Sequence, residues 1–167
     1  MSRSADEAFT AFVATHAQSL MRSAYLLTGR RGDAEDALQN ALLKVYLAWS
    51  QIERPEAAVG YARTTLVREV LTMRRGPLRR LRLTDQPPDA ALVADTDQFE
   101  TRDLVHIALL RLPRQQRAVL VLRYFDDLTE AQTAAVLGVR IGTVKQHAAR
   151  GLARLRQELR ETAEEKP

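Results

Sequence analysis

An all-α fold of two small helical domains joined by a linker is predicted by three observations. Apolar residues recur at threes and fours in several separate segments, the period of a helix that buries one face. Of the 167 residues 46% are hydrophobic but only 5% aromatic, and alanine, leucine, arginine and glutamate dominate, a helix-forming composition. Over residues 76–98 no period is sustained. Arg79, Arg80 and Arg82 stand there, followed by Pro87, Pro88 and the acids Asp85, Asp89, Asp95 and Asp97. Such a stretch reads as a connection, so domains are expected at residues 1–75 and 99–167 with 76–98 as the linker.

The first helix is expected from Glu7 to Thr28, with Phe9, Phe12, Val13, Leu20, Ala24 and Leu27 as its stripe. Gly29-Arg30-Arg31-Gly32 ends it. Asp33 is expected to cap the second helix, with Glu35 and Asp36 in its first turn, where the helix dipole favours acids. That helix runs to about Trp49 and turns Ala34, Ala37, Leu38, Ala41, Leu42, Val45, Ala48 and Trp49 to a core. Asp36, Gln39, Asn40, Leu43, Lys44 and Leu47 lie opposite. Leu43 and Leu47 are apolar on a face that should be wet, so either another helix or a partner covers them. Pro55 opens a third helix, expected to reach Arg75. Val59, Ala62, Leu66, Val70 and Met73 form its buried stripe, with Arg63, Thr64, Arg68, Thr72 and Arg75 on or near the outside.

In the second domain Leu104, Val105, Ala108, Leu109 and Leu112 make an amphipathic helix, and Pro113 opens the next. A strongly apolar segment, Ala118, Val119, Val121, Leu122 and Phe125, closes on Asp126-Asp127, which read as turn residues. Leu128 to Arg156 then reads as two helices and a tight turn. Thr129 and Gln132 form a capping box. Ala131, Ala134, Ala135, Val136 and Leu137 give the first helix a small apolar side, and Gly138 ends it. The second helix places Ile141, Val144, Ala148, Leu152 and Leu155 on one face and Lys145, Gln146, His147, Arg150, Arg154 and Arg156 on the other. A short helix, a glycine turn and a basic second helix are the geometry of a helix-turn-helix, whose second helix enters the DNA major groove. The plainer alternative is a helical hairpin with a solvated basic face.

The net charge of +4 suits an anionic partner. The absence of cysteine excludes disulfides and thiolate metal sites and points to an intracellular setting. His16, His106 and His147 are scattered and no glycine-rich phosphate loop is present. No enzyme activity, metal or cofactor is therefore expected. Asp6 and Glu7 stand where a signal peptide needs a basic start, and the longest strongly apolar run, Ala118–Leu122, is far too short for a bilayer. A cytoplasmic protein without membrane contact of its own is expected.

Two stretches carry a family resemblance. GDAEDALQNALLKVYLAW resembles the helix by which bacterial sigma factors dock on RNA polymerase. LPRQQRAVLVLRYFDDLTEAQTAAVLGVRIGTVKQHAARGLARLR resembles their C-terminal promoter-reading domain. They stand in the family's order across nearly the whole chain. The chain is thus similar to the extracytoplasmic-function (ECF) sigma factors of the sigma-70 family, in their actinobacterial sigma-E-like branch. The resemblance implies a sigma-2 bundle and a sigma-4 helix-turn-helix domain. It implies an alternative sigma factor that binds core RNA polymerase, directs promoter-specific initiation and answers to an anti-sigma protein. Asp36, Gln39, Asn40 and Leu43 fall on the polymerase-docking surface. Arg63, Thr64, Arg68 and Arg75 are the candidates for opening the −10 element and holding its single strand. Arg140, Thr143, Lys145, Gln146, His147 and Arg150 are the candidates for reading the −35 duplex. The chain departs from the family pattern at several positions. Arg140 replaces a capping serine, His147 an arginine, Gln132 a glutamate, Asn40 an acid and Arg68 an asparagine, and the tryptophan common near Met73 and Arg74 is missing. The departures at Asn40 and Arg68 motivate an alternative, a sigma-like DNA-binding regulator without productive polymerase docking; a further alternative is an anti-sigma decoy, against which the basic faces argue.

Overall fold

The computed structural model describes residues 3–73 and 96–164. Helix α1 spans Arg3–Thr28, α2 Arg31–Ala48 and α3 Pro55–Thr72, with a 3-10 turn at Trp49–Gln51. In the C-terminal half, α4 spans Thr96–Leu110, α5 Arg114–Leu120, α6 Glu130–Leu137 and α7 Ile141–Glu164, with a π-helical turn at Val121–Phe125 after α5. All the regular structure of the described residues is helical, as the periodicity predicts. Most of the expected linker lies outside the described residues, as does Arg75; Thr96 to Gln98 already belong to α4.

The N-terminal half is a three-helix bundle. Ala34, Ala37 and Ala41 of α2 are almost wholly buried, and such small residues bring helix axes close together. Phe12, Leu20, Leu27, Val45, Leu66, Val67 and Val70 fill the space between the helices. Phe9 meets Tyr46 and Trp49 edge-on, with ring centroids 5.0 and 5.3 Å apart. The α1–α2 connection is tighter than expected. Gly29 takes a φ of +73°, which only glycine adopts freely, and the Thr28 hydroxyl donates back to Ala24 O at 2.8 Å. Arg30 is therefore the cap residue, in an extended conformation, and α2 starts at Arg31. Asp33 does not cap the helix but sits in its first turn, where its charge still opposes the dipole. Pro55 opens α3 as expected, while α3 ends three residues before Arg75.

In the C-terminal half the capping box forms as read. Thr129 Oγ1 accepts from the Gln132 amide at 3.1 Å, and Gln132 Oε1 accepts from the Thr129 amide at 2.9 Å. Thr129→Ala should remove one of these bonds and lower stability by about 1 kcal/mol. The expected loss in melting temperature is about 3 °C, measured by circular dichroism. Gly138 ends α6 at φ +66°. Helix α7 outruns the expected end at Arg156 and reaches Glu164. It seats on α5 through Val144, which is fully buried, and Gly151, where an added Cβ would lie 3.2 Å from Leu120.

Four apolar positions depart from expectation. Ala131 and Ala135 are exposed, and Thr133 is buried beside Ala134 instead. Ile141 is 45% exposed because it begins α7 at the rim of the packed face. Phe125 is 47% exposed although it ends an apolar run. The π turn explains it. Asp126 N–H donates to Val121 O at 3.0 Å, one residue wider than an α turn, so the last residue rotates off the buried stripe.

The two halves pack together. Ala118, Val121, Leu122, Leu128 and Val136 join the buried cluster of the N-terminal bundle. Arg117, only 2% exposed, works at this junction. It donates to Leu109 O, Leu110 O and Leu112 O at 2.9, 2.8 and 3.1 Å, around the carboxyl end of α4. It also reaches Leu27 O in α1 at 2.7 Å. Carbonyls at helix ends lack intrahelical partners and carry the negative end of the dipole, so they can hold a buried guanidinium. Arg114 does the same for α3, donating to Val70 O and to Met73 O at 3.3 Å. The His106 ring meets the Tyr25 ring at a tilt of 53°, with centroids 4.6 Å apart, and places Nε2 3.2 Å from Tyr25 O. Burial pushes its imidazole below the ordinary histidine range, while the bond to Tyr25 O works the other way. Leu110 methyls lie 2.6 Å from where a Cβ on Gly29 would stand, so a side chain there would push Leu110 aside in addition to the strain at that φ.

Candidate nucleic-acid interface

Three surfaces carry the residues singled out from the sequence. On α2, Asp36, Gln39, Asn40 and Leu43 are all exposed. Their spacing of three and four aligns them in one stripe, which Leu47 extends. Leu43 is 57% and Leu47 70% exposed, so no helix among the described residues covers them. Lys44, beside this stripe, pairs with Glu69 of α3.

On α3 the candidates separate. Arg68 is exposed and Thr64 half-buried, and their spacing from Tyr61 places all three along one helix face. Tyr61, 43% exposed, is missing from the sequence-derived set. A flat aromatic beside a cation on an exposed face is the signal that would have found it. Arg63 stands apart, at the edge of the buried stripe. Its Nε lies 3.6 Å from Asp126 Oδ2 of the C-terminal half, both side chains being largely covered. Asp126 Oδ1 accepts from Ser23 Oγ of α1 at 2.7 Å. Burial pushes the Asp126 carboxyl above the usual carboxylate range, and Ser23, Arg63 and Arg22 only partly offset that.

On α7, Thr143, Gln146, His147 and Arg150 recur at threes and fours and share one face opposite the seat on α5. Gln146 and Arg150 are exposed, and Arg154 extends the row while lying 3.9 Å from Glu158. Lys145 occupies a different flank and is 3.7 Å from Glu130 of α6. Arg140 precedes the helix, exposed, and its carbonyl accepts from the amides of Thr143 and Val144 at 3.0 and 3.2 Å. These are the ordinary backbone bonds of a helix start. The His147 Nδ1 is buried and has no hydrogen-bond partner.

These features define the class: an all-helical chain with a three-helix bundle followed by a helix-turn-helix whose second helix shows a row of polar and basic side chains. Sigma-70 region 2 matches residues 12–80, and Sigma-70 region 4 matches residues 102–155. The RNA polymerase sigma-E factor of Streptomyces avermitilis is 37% identical over 151 residues, 90% of this chain and 84% of the relative. The ECF RNA polymerase sigma factor SigM of Mycobacterium tuberculosis is 39% identical over 89% of this chain and 75% of its own length. The chain belongs to the ECF RNA polymerase sigma factors of the sigma-70 family. The solved sigma factor RpoE from Bartonella quintana, in complex with the anti-sigma factor NepR, is similar in fold with a TM-score of 0.74. The match is at 22% identity and covers 92% of this chain and 98% of that one. CnrH, solved with the cytosolic domain of CnrY, matches at a TM-score of 0.61 and 20% identity, over 93% of this chain and 90% of that one. No helix among the described residues is long and apolar enough to cross a membrane.

Proposed function

We propose that this chain is an alternative sigma factor that binds core RNA polymerase, carries it to a small set of promoters and contributes no catalytic group of its own. The observation that carries this reading is the pairing of two family regions, in order, with the exposed stripe on α2. In this reading residues 1–75 and 99–167 are the two working domains, and the protein acts in the cytoplasm with the polymerase. Asp36, Gln39, Asn40 and Leu43 dock on the polymerase. An exposed leucine ringed by polar groups is the kind of anchor that a protein interface buries. Thr64, Arg68 and Tyr61 meet the single strand of the −10 element, the aromatic ring offering a stacking platform and the cations neutralising backbone. Arg63 and Arg75 complete that set. Arg140, Thr143, Lys145, Gln146, His147 and Arg150 address the −35 duplex. Arg150 and Lys145 suit phosphates or guanine edges, and Gln146 has the donor and acceptor that adenine needs. An anti-sigma protein as regulator is supported by one similar fold, RpoE of Bartonella quintana, having been solved with the anti-sigma factor NepR.

Co-elution of the purified chain with sigma-free core polymerase on a sizing column tests the reading. The wild-type chain should form a stable complex. Leu43→Asp should weaken it by at least about tenfold, since a carboxylate cannot enter an apolar interface unpaired. Its melting temperature should hold, because the leucine is already exposed. A folded wild-type chain that never joins the polymerase would shift the reading to a stand-alone DNA-binding regulator.

A further inference from the structure

The cations of α7 are not equally free. Arg150 is exposed and forms no ion pair among the described residues. Arg154 lies 3.9 Å from Glu158, but that carboxylate is only 14% exposed and also takes Arg111, which follows α4, at 3.3 Å. Glu158 thus ties α7 to its seat. Lys145 differs. Its Nζ lies 3.7 Å from Glu130 Oε2 of α6, and Glu130 pairs with no second cation among the described residues. Glu130 stands in the first turn of α6, where the dipole favours an acid. Yet Thr129 and Gln132 already cap that end, and in a helix-turn-helix the first helix crosses the DNA backbone, where a carboxylate costs affinity. We infer that Glu130 is a specificity-determining residue for duplex reading: it holds Lys145 so that the ammonium meets the duplex in one register and not wherever a phosphate lies near.

This inference rests on the proposed −35 reading and adds to it a residue that reads no base. A lysine is a point charge on a flexible four-carbon stem. Unheld, it reaches any phosphate within its sweep, and phosphate contacts carry no sequence information. An ammonium has three donors, so a carboxylate beside it still leaves two for DNA. Where Gln146 and Arg150 sit in register, the held ammonium is already ordered, and less rotamer entropy is lost on binding. Out of register, the nearest phosphate draws Lys145 off Glu130, and the pair must break first. The two side chains are 64% and 37% exposed, so water screens the pair and its effect is a few-fold, not orders of magnitude. Specificity is a difference of affinities, and a penalty on wrong registers raises it as surely as a contact in the right one.

The test uses the full chain and two fluorescent duplex probes: a pool of random sequence, and the sequences that the wild-type chain enriches from that pool. Glu130→Gln should bind the pool about threefold tighter near 0.15 M salt. It should also steepen the slope of log affinity against log salt by about 1, because Lys145 then neutralises a phosphate in every register. Affinity for the enriched sequences should stay within about 1.5-fold, so the ratio of the two affinities falls about threefold. With Lys145→Ala in place, the same substitution should move pool affinity by less than about 1.5-fold. If Glu130→Gln unfolds α6, Glu130→Asp keeps an acid at the helix start, withdraws it from Lys145 by one methylene and is read the same way. An unchanged pool affinity and slope overturns the inference. An equal rise on both probes overturns it too, since Glu130 would then be a uniform repulsive charge. So does a full threefold effect without Lys145, which would place the carboxylate against DNA alone. All three leave the −35 reading intact. A wild-type chain that binds no duplex, or enriches no sequence from the pool, overturns the inference and the −35 reading together.

Discussion

Arg117→Ala is expected to destabilise the chain by about 4 kcal/mol, the largest loss from any single truncation considered. Hydrogen bonds to a charged group contribute about 1.5–3 kcal/mol each, and orphaned buried carbonyls add their own desolvation cost. The guanidinium serves Leu27 O, Leu109 O, Leu110 O and Leu112 O, so its removal strips the carboxyl ends of α1 and α4 together. For a chain of this size the melting temperature should fall by about 12 °C. Arg117→Lys should recover part of that loss, because one ammonium reaches fewer of these oxygens than a planar fork does. Thermal denaturation followed by circular dichroism measures both. A drop below about 1 kcal/mol for the alanine variant would mean that water replaces the guanidinium, and that the junction is wetter than its burial indicates.

The second large effect concerns α7. Arg150→Ala together with Lys145→Ala should weaken duplex binding by about thirtyfold near 0.15 M salt. It should also reduce the slope of log affinity against log salt by between about 1 and 2. The two residues should not contribute equally. Arg150 lies in the row with Thr143, Gln146 and His147, whereas Lys145 sits on another flank near Glu130. Arg150→Ala alone should account for about tenfold and Lys145→Ala for about threefold, because Lys145 must first leave a carboxylate. Fluorescence anisotropy on duplexes between 50 and 200 mM salt gives both numbers, and the slope needs no knowledge of the promoter. An unchanged slope in the double variant would remove α7 from the groove.

Much of this was legible in the sequence because amphipathic periodicity and capping are local. The helices, the Thr129–Gln132 box and the turn at Gly138 follow from residues within a few positions of one another. The face of α2 was legible as a choice, either covered by a helix or left for a partner, and the exposure of Leu43 and Leu47 decides it. The junction was not legible. Ser23 and Asp126 are 103 positions apart, Arg117 and Leu27 90, and His106 and Tyr25 81, and no periodic pattern encodes which surfaces meet across such distances. Asp126 reads from sequence as a turn residue. That is true of its backbone, yet its side chain faces the other half. Arg63 likewise reads as an outward cation, and only the partner helix shows that it is engaged. The π turn also leaves no periodic mark, which is why Phe125 was assigned to the core.

The seat of α7 has a consequence for how such proteins diversify. Val144 is sealed, and Gly151 lets the helix lie so close to Leu120 that even one methyl would press into it. The rotation of α7 about its own axis is therefore set by residues that never meet DNA. Positions on the outward row, such as Gln146 and Arg150, can exchange without tilting the helix that presents them. Under the proposed −35 reading, selection can retune the recognised base sequence one side chain at a time, while the mount that aims those side chains stays unchanged.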